Sequence, residues 1–189
     1  MSNGFTGLPS VPHLVLGGAR SGKSRFAEEL IQAFPPPYVY VATAQALDAE
    51  MCARVKDHQH RRGPLWQTME VPLALVELLD DLRGQGRPVL VDCLTLWLTN
   101  LMLQPPDFNR QPATEIDRLC GAIRAADYPL VLVSNEVGGG IVPENPLARA
   151  FQDLAGRTNQ QVAIVCVAAT LMVAGLPLRL KGNPKPTSP

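Results

Sequence analysis

The sequence lacks an excess of charge of either sign. Its 189 residues include 17 Lys and Arg and 17 Asp and Glu, so the formal net charge at pH 7 is zero. A chain without a bulk field has little general attraction for nucleic acid or for an anionic membrane. We therefore expect no nucleic-acid partner, and any anion that the protein binds must be held by a local site.

Long apolar runs and paired cysteines are also missing. No uninterrupted apolar stretch reaches the roughly 18 residues of a membrane-spanning helix, and residues 1–12 contain neither a basic nor an apolar targeting region. The chain has four scattered cysteines and no C-x-x-C pair, which argues against a zinc site or a disulfide framework. They are Cys52, Cys93, Cys120 and Cys166. These absences predict a cytoplasmic protein without a membrane span.

The pattern of apolar residues predicts a single α/β domain. Apolar residues make up 46% of the chain, which is enough for one substantial core. Short apolar runs alternate with helical stretches, which is typical of a mostly parallel sheet with helices on both faces. We expect this domain over residues 13–182, with a flexible extension over residues 1–12 and a flexible tail over residues 183–189.

Individual elements follow from the same pattern. The runs that are apolar throughout predict central parallel strands at residues 14–16, 38–42, 89–92 and 130–134. Helices are predicted over residues 22–33, 48 to about 60, 73–83, 95–103 and 113–126, and from Pro146 through the region of Asn159. The β-branched stretch 162–167 fits either a strand or the buried end of that last helix. We favour the helix, with the final strand at residues 171–174.

A phosphate-binding motif follows the first predicted strand. The pattern G-x-x-x-x-G-K-[ST] is matched by Gly17, Gly18, Ala19, Arg20, Ser21, Gly22, Lys23 and Ser24. Glycines let successive backbone N–H groups converge on phosphate oxygens, and the N-terminus of the following helix adds partial positive charge. Lys23 is expected to reach the β- and γ-phosphates and Ser24 to ligate Mg²⁺. A glycine-rich turn without a ligand is the weaker alternative.

Polar residues end two further strands. Asp92 follows three apolar residues, the arrangement that presents a carboxylate to Mg²⁺ beside a P-loop, although it could merely cap the next helix. Asn135 and Glu136 begin a long glycine-rich loop at the carboxyl end of a parallel strand, where ligands bind in open α/β sheets. They are candidate substrate contacts; the alternative is a plain connection with Glu136 in solvent.

A histidine lies in a basic segment. Arg54, His58 and Arg62 are spaced i, i+4, i+8 along a predicted helix. Flanking guanidinium groups disfavour protonation of His58 and suit a polyphosphate, and a neutral imidazole is a nucleophile. Spacing alone nevertheless favours an ordinary surface histidine. His60 lies off this helical stripe, and His13 has no evident partner and is assigned no role.

Four segments of the chain are distinctive together: GGARSGKS (17–24), DAEMCARVKDH (48–58), VLVDCLTLWLTN (89–100) and SNEVGGGIVPENPLARAFQDLAGRTNQ (134–160). They resemble one family, the bifunctional adenosylcobinamide kinase/adenosylcobinamide-phosphate guanylyltransferases. The resemblance covers residues 13–182 and implies a RecA-like P-loop NTPase fold. It implies two reactions of adenosylcobalamin (vitamin B12) synthesis. ATP or GTP phosphorylates the aminopropanol hydroxyl of adenosylcobinamide, and GMP is then transferred from GTP to give adenosylcobinamide-GDP and pyrophosphate.

The resemblance also implies roles for particular residues. The guanylylated histidine of the family aligns with His58, and Lys23 is the second catalytic residue. The implied nucleotide contacts are the P-loop, Ala42, Thr43, Ala44, Gln59, His60, Arg61, Arg62, Glu70 and Asp92. A homotrimer is a further implication, whereas Mg²⁺ held by Ser24 and Asp92 is predicted from the P-loop and the strand-ending carboxylate. Two other functions stay open at this point: a P-loop small-molecule kinase without a covalent step, and a RecA-like ATP-binding module that regulates a partner.

Overall fold

A computed structural model describes residues 8–44, 63–105 and 109–182. Within these ranges the strands are β1 (His13–Gly17), β2 (Tyr38–Ala42), β3 (Trp66–Glu70), β4 (Val89–Asp92), β5 (Leu130–Asn135), β6 (Ala168–Val173) and β7 (Leu176–Lys181). The helices are α1 (Lys23–Ile31), α2 (Leu75–Asp81), α3 (Leu94–Met102), α4 (Pro112–Ala125) and α5 (Pro146–Val165). None of these helices has the length and hydropathy that a membrane crossing requires.

The strands form one sheet in the order β3-β2-β4-β5-β1-β6-β7. All neighbours are parallel except β6 and β7, which form an antiparallel hairpin. The central strands are buried at almost every position because helices cover both faces. Val15 faces the cluster that includes α1, whereas Leu14 and Leu16 face the larger cluster that includes α2 to α5.

The four strands predicted from apolar runs are confirmed as β1, β2, β4 and β5, with boundaries that differ by at most one residue. The helices predicted to start near residues 22, 73, 95, 113 and 146 are confirmed as α1 to α5. The helix predicted over residues 48 to about 60, the first part of the N-terminal extension and the tail after residue 182 lie outside the described residues.

Three features of the fold differ from the predictions. Helix α5 runs to Val165, as favoured, but β6 begins at Ala168 and not at residue 171, because Ala168 pairs with His13 of β1. Strands β3 and β7 were not predicted. The burial of β3 varies along its length and β7 is exposed at every position, so neither shows the continuous apolar run of a central strand.

Two helices stand over the carboxyl ends of the strands. Asn159 of α5 bonds to the last residues of β5, so residues 146–158 of this helix, about 20 Å at the usual rise, lie beyond the sheet edge. Gln152 in this part donates to the Val137 carbonyl, two residues after β5. Helix α3 crosses the same edge, because Asn100 near its end donates to the Thr43 carbonyl after β2.

Candidate active site

The P-loop connects β1 to α1 in a compact turn. Gly22 has φ 91°, a left-handed conformation that glycine adopts without strain. Gly17 leaves no room for a side chain, since a Cβ there would overlap the Ser21 hydroxyl oxygen and stand 2.8 Å from the Met172 carbonyl oxygen. The Lys23 ammonium donates to the Gly18 carbonyl at 3.2 Å. The loop therefore closes over the N-terminus of α1, a geometry that binds phosphate.

The hairpin of β6 and β7 supports this loop from one side. Ala174 and Gly175 form its turn with φ 50° and 80°. The Gly175 N–H donates to the Ser21 carbonyl at 3.0 Å. A Cβ on Gly22 would lie 3.4 Å from the Gly175 Cα, so the turn and the P-loop are packed backbone against backbone. The hairpin thus fixes the half of the P-loop that precedes Lys23.

Register brings the predicted polar residues to one edge of the sheet. Gly17 of β1 pairs with Asn135 of β5, and the Glu136 N–H donates to the Gly17 carbonyl at 3.1 Å. On the other side of β5, Asp92 ends β4 and pairs with Ala42, which in turn pairs with Glu70 of β3. The carboxyl ends of parallel strands meet at such an edge, which is where open α/β sheets bind ligands.

Thr43 holds the segment after β2 against the segment after β4. Its side chain is fully buried, and its Oγ1 accepts from the Cys93 N–H at 2.9 Å and donates to the Cys93 carbonyl at 2.7 Å. Asn100 donates to the Thr43 carbonyl at 2.7 Å and to the Pro72 carbonyl at 3.0 Å. These contacts fix the backbone next to Asp92, so the Thr43 side chain is occupied and Ala44 is the accessible residue of this segment.

A closed ring of hydrogen bonds fixes Asn135. Its N–H donates to Thr95 Oγ1 at 2.7 Å, and Thr95 Oγ1 lies 3.4 Å from Ser134 Oγ. Ser134 Oγ donates to Asn159 Oδ1 at 2.7 Å, and Asn159 Nδ2 returns to the Asn135 carbonyl at 3.2 Å. Thr95, Ser134 and Asn159 are all buried. The ring ties β5 to α3 and α5 and holds the Asn135 backbone at the edge.

The ring and the Thr43 contacts were not found from the sequence. Thr95, Asn100 and Asn159 are polar residues on the buried sides of predicted helices, a pattern that signals internal hydrogen bonding without naming the partners. The partners are 24 to 57 residues away in the chain.

Two oxygen-bearing side chains at this edge, those of Ser24 and Asp92, are available to a metal ion. Neither the Ser24 hydroxyl nor the Asp92 carboxylate hydrogen-bonds to another described residue. Within residues 8–44, 63–105 and 109–182 no group of three His, Cys, Asp or Glu side chains could hold a metal unaided. Because Mg²⁺ is commonly bound by one or two carboxylates together with substrate phosphates and water, these two residues fit an ion that arrives with a nucleotide.

Two buried titratable groups among the described residues, Cys93 after β4 and His13 at the start of β1, are held in their neutral forms. Burial, and then the neighbouring Asp92 charge, raise the pKa of the Cys93 thiol to about 11. His13 lies in β1 and shares a hydrogen bond of 2.9 Å with Thr170, so it has a partner that the sequence did not reveal. Burial lowers the pKa of His13 to about 4, which keeps the ring neutral.

The remaining predicted site residues differ in exposure, and some of them lie outside the described residues. Ala42 is buried, whereas Glu70 and Glu136 are exposed at the same edge, and Glu136 Oε1 accepts from the Gly138 N–H at 3.1 Å. In the P-loop, Gly18, Ala19 and Arg20 are exposed. The predicted nucleophile His58 and the predicted contacts Gln59, His60, Arg61 and Arg62 lie outside the described residues.

The fold of this chain resembles that of solved structures. The chain resembles a protein of Pyrococcus horikoshii OT3, PH0250, with a TM-score of 0.56 and 9% identity over 94% of this chain and 90% of that one. It also resembles the P4 protein from bacteriophage phi6, solved in complex with ADP, with a TM-score of 0.50 and 17% identity over 87% of this chain and 51% of that one. The predicted α/β fold of the RecA-like P-loop NTPase class is confirmed.

Sequence comparison is more specific. A protein from Pseudomonas aeruginosa named bifunctional adenosylcobalamin biosynthesis protein CobP is 48% identical over 171 residues, which cover 90% of this chain and 98% of that protein. The Escherichia coli K12 protein named bifunctional adenosylcobalamin biosynthesis protein CobU is 41% identical over 179 residues, or 89% of this chain and 98% of that protein. A family model described as cobinamide kinase / cobinamide phosphate guanyltransferase matches residues 13–180. The chain belongs to this cobinamide kinase / cobinamide phosphate guanyltransferase family.

Proposed function

We propose that the protein phosphorylates adenosylcobinamide with ATP or GTP and then transfers GMP from GTP to the resulting phosphate. The products of the second reaction are adenosylcobinamide-GDP and pyrophosphate. The observation that carries the proposal is the shared carboxyl edge of three neighbouring parallel strands, where β1 leads into the P-loop, β5 ends at Asn135 and β4 ends at Asp92, in a chain of this family. A P-loop binds the phosphates of the donor, and the polar edge beside it is open to an acceptor.

In the kinase step the chain binds the donor through the P-loop. The backbone N–H groups after Gly17 and the N-terminus of α1 surround the phosphates, and Lys23 stabilises the charge on the leaving phosphate. Ser24 and Asp92 would hold Mg²⁺, which when bound neutralises charge on the transferred phosphoryl group. The proposed contacts to the acceptor arm are Asn135, whose backbone is fixed by its hydrogen-bonded ring, and the exposed Glu136.

In the second step we propose that His58 is the nucleophile. Its imidazole nitrogen attacks the α-phosphorus of GTP, a P–N bond forms, and the bond to the pyrophosphate oxygen breaks. An oxygen of the cobinamide phosphate then attacks the same phosphorus and the P–N bond breaks, which regenerates the free histidine. Two displacements through a covalent intermediate replace one difficult step. The proposed contacts to the nucleotide are Gln59, His60, Arg61, Arg62, Ala42, Thr43, Ala44 and Glu70.

Labelled nucleotide tests the covalent step. The purified protein is incubated with α-labelled GTP and Mg²⁺ without corrinoid, denatured, and treated with acid or base. We expect protein-bound label that is lost in acid, survives base, and is absent from His58→Ala but present in the matched variant His60→Ala. No label in the wild-type protein, with cobinamide phosphorylation intact, would leave a P-loop kinase without the guanylyl step. Label that is absent from His60→Ala but present in His58→Ala would show that the nucleophile is His60.

We also propose that the functional unit spans residues 13–182 and assembles as a homotrimer, as the family resemblance implies. Analytical ultracentrifugation at micromolar concentration tests the assembly. A single species of three times the chain mass of 20.4 kDa supports it, and a stable monomer or dimer that retains both activities contradicts it.

A further inference from the structure

An apolar groove lies between α3 and α5 on the carboxyl side of the sheet. Its volume is about 330 Å³. Most of its lining is apolar or small: Met102, Leu103, Leu147, Ala148 and Phe151. Leu147 and Leu103 are 54% and 62% exposed, so the groove holds apolar surface that the fold itself leaves uncovered. A contiguous apolar concavity of this kind commonly marks a binding site.

The groove adjoins the acceptor side of the candidate active site. Thr99, which lines the groove, donates from its hydroxyl to the Thr95 carbonyl at 3.0 Å. Thr95 lies four residues earlier in α3, about 6 Å along the helix axis. Thr95 in turn accepts the Asn135 N–H at 2.7 Å. Asn135 also pairs with Gly17 at the start of the P-loop. The groove is therefore linked to the phosphate site through consecutive contacts of Thr95 and Asn135.

Polar groups at the end of the groove suit an amide-bearing ligand. Asn145 caps α5, because its Oδ1 accepts from the Leu147 and Ala148 N–H groups at 2.8 and 3.2 Å. Its Nδ2 donates to no other described residue, which leaves amide N–H donors beside the apolar walls. The Thr99 hydroxyl, whose proton is used, can still accept. The lining thus combines an apolar surface with one donor group and one acceptor group.

The proposed substrate has matching chemistry. A cobinamide carries methyl groups and methylene carbons around a large macrocycle, with carboxamide side chains at its rim. Ligand pockets span about 300–1,000 Å³, and the groove is at the lower end, so it can take one edge of the macrocycle but not the whole.

We propose that the groove between α3 and α5 binds the methylated edge of the corrin macrocycle and directs the aminopropanol arm past Asn135 to the phosphate site. The proposal rests on the proposed function, since it names where the acceptor of that reaction docks. Leu147 and Phe151 supply the apolar wall on one side and Met102 the wall on the other, and Asn145 donates to a carboxamide carbonyl.

Two substitutions in the groove test the proposal against a control on the same helix. Leu147→Asn makes the wall polar, and Ala148→Phe fills the groove. Ile164→Asn is the control, because Ile164 is 71% exposed and lies 17 residues further along α5, about 25 Å away. We expect both groove variants to raise the KM for cobinamide in the kinase reaction by at least about tenfold. Neither should change the KM for ATP, and neither should reduce labelling by α-labelled GTP without corrinoid.

Equilibrium dialysis of cobinamide, followed by corrin absorbance, gives a readout besides activity, and sedimentation gives the mass of each variant. Weaker dialysis binding by both groove variants at unchanged mass supports the proposal. The proposal is wrong if both groove variants bind cobinamide as tightly as the wild-type protein and have the same KM for it. It is also wrong if the KM changes together with the mass, because the groove would then mediate contacts between copies of the chain. Failure of the wild-type protein to phosphorylate cobinamide would instead refute the proposed function.

Discussion

The contact between Thr43 and Cys93 gives a prediction whose magnitude follows from the structure. Thr43→Val preserves side-chain shape and burial but removes the hydroxyl that accepts the Cys93 N–H and donates to the Cys93 carbonyl. The buried N–H is then left unsatisfied, at about 1–3 kcal/mol. The carbonyl keeps the Trp97 N–H as a partner, so its loss adds only about 0.5–1.5 kcal/mol. We expect the free energy of unfolding to fall by about 1.5–4.5 kcal/mol.

Thr158→Val is the matched control. Thr158 is also fully buried, but its hydroxyl donates at 2.8 Å to the Leu154 carbonyl, which retains its helical partner. Its replacement should cost about 1 kcal/mol or less. Urea denaturation of both variants at pH 7 measures the two values. Equal losses in the two variants would refute the assignment of Thr43 as the residue that satisfies the backbone beside Asp92.

Three further predictions concern the P-loop, the metal and pH. Gly17→Ala should lower the free energy of unfolding by about 1–3 kcal/mol, because its Cβ meets the Met172 carbonyl oxygen. Gly18→Ala is the control: a Cβ there has nothing within 4 Å, so the free energy of unfolding should change by less than about 0.5 kcal/mol. Equal losses for the two variants in urea denaturation would contradict this prediction. Asp92→Asn should raise the Mg²⁺ concentration for half-maximal kinase activity by about tenfold, and an unchanged Mg²⁺ titration would exclude Asp92 as a ligand. Burial lowers the pKa of His13 from 6.5 to about 4, so the unfolded chain takes up the proton first on acidification. The free energy of unfolding should therefore fall by about 3 kcal/mol from pH 6.5 to about 4, and His13→Gln should lack this step.

The parts of the site that depend on local sequence could be predicted. The P-loop is a contiguous motif whose glycines and lysine have separate physical roles, so it is recognisable without tertiary information. Asp92 and Asn135 could be placed because each ends an apolar run, and parallel strands deliver their carboxyl ends to the same edge. The strand order, which sets β5 between β1 and β4, is a tertiary property that no local pattern of these runs contains.

The parts that depend on exposure or on distant partners could not be predicted. Strand β7 is exposed at every position, and it is a strand because it pairs with β6 after the tight turn at Ala174 and Gly175. Its pattern of alternating apolar and polar residues is interrupted by Pro177, which weakens a strand reading. The support that this hairpin gives to the P-loop was therefore missing from the sequence-based prediction.

The ring around Asn135 shows why buried polar residues matter to this site. Three buried side chains, Thr95, Ser134 and Asn159, would each be costly without partners, yet each satisfies another and both backbone groups of Asn135 are used. Removal of any one member leaves an unsatisfied neighbour, so the ring confines the Asn135 backbone to one position more strictly than apolar packing would. The Asn135 side chain, by contrast, has no hydrogen bond to another described residue. An amide held on a fixed backbone between the P-loop and Asp92 loses little conformational entropy when a ligand binds, which is the property that a substrate-positioning residue requires.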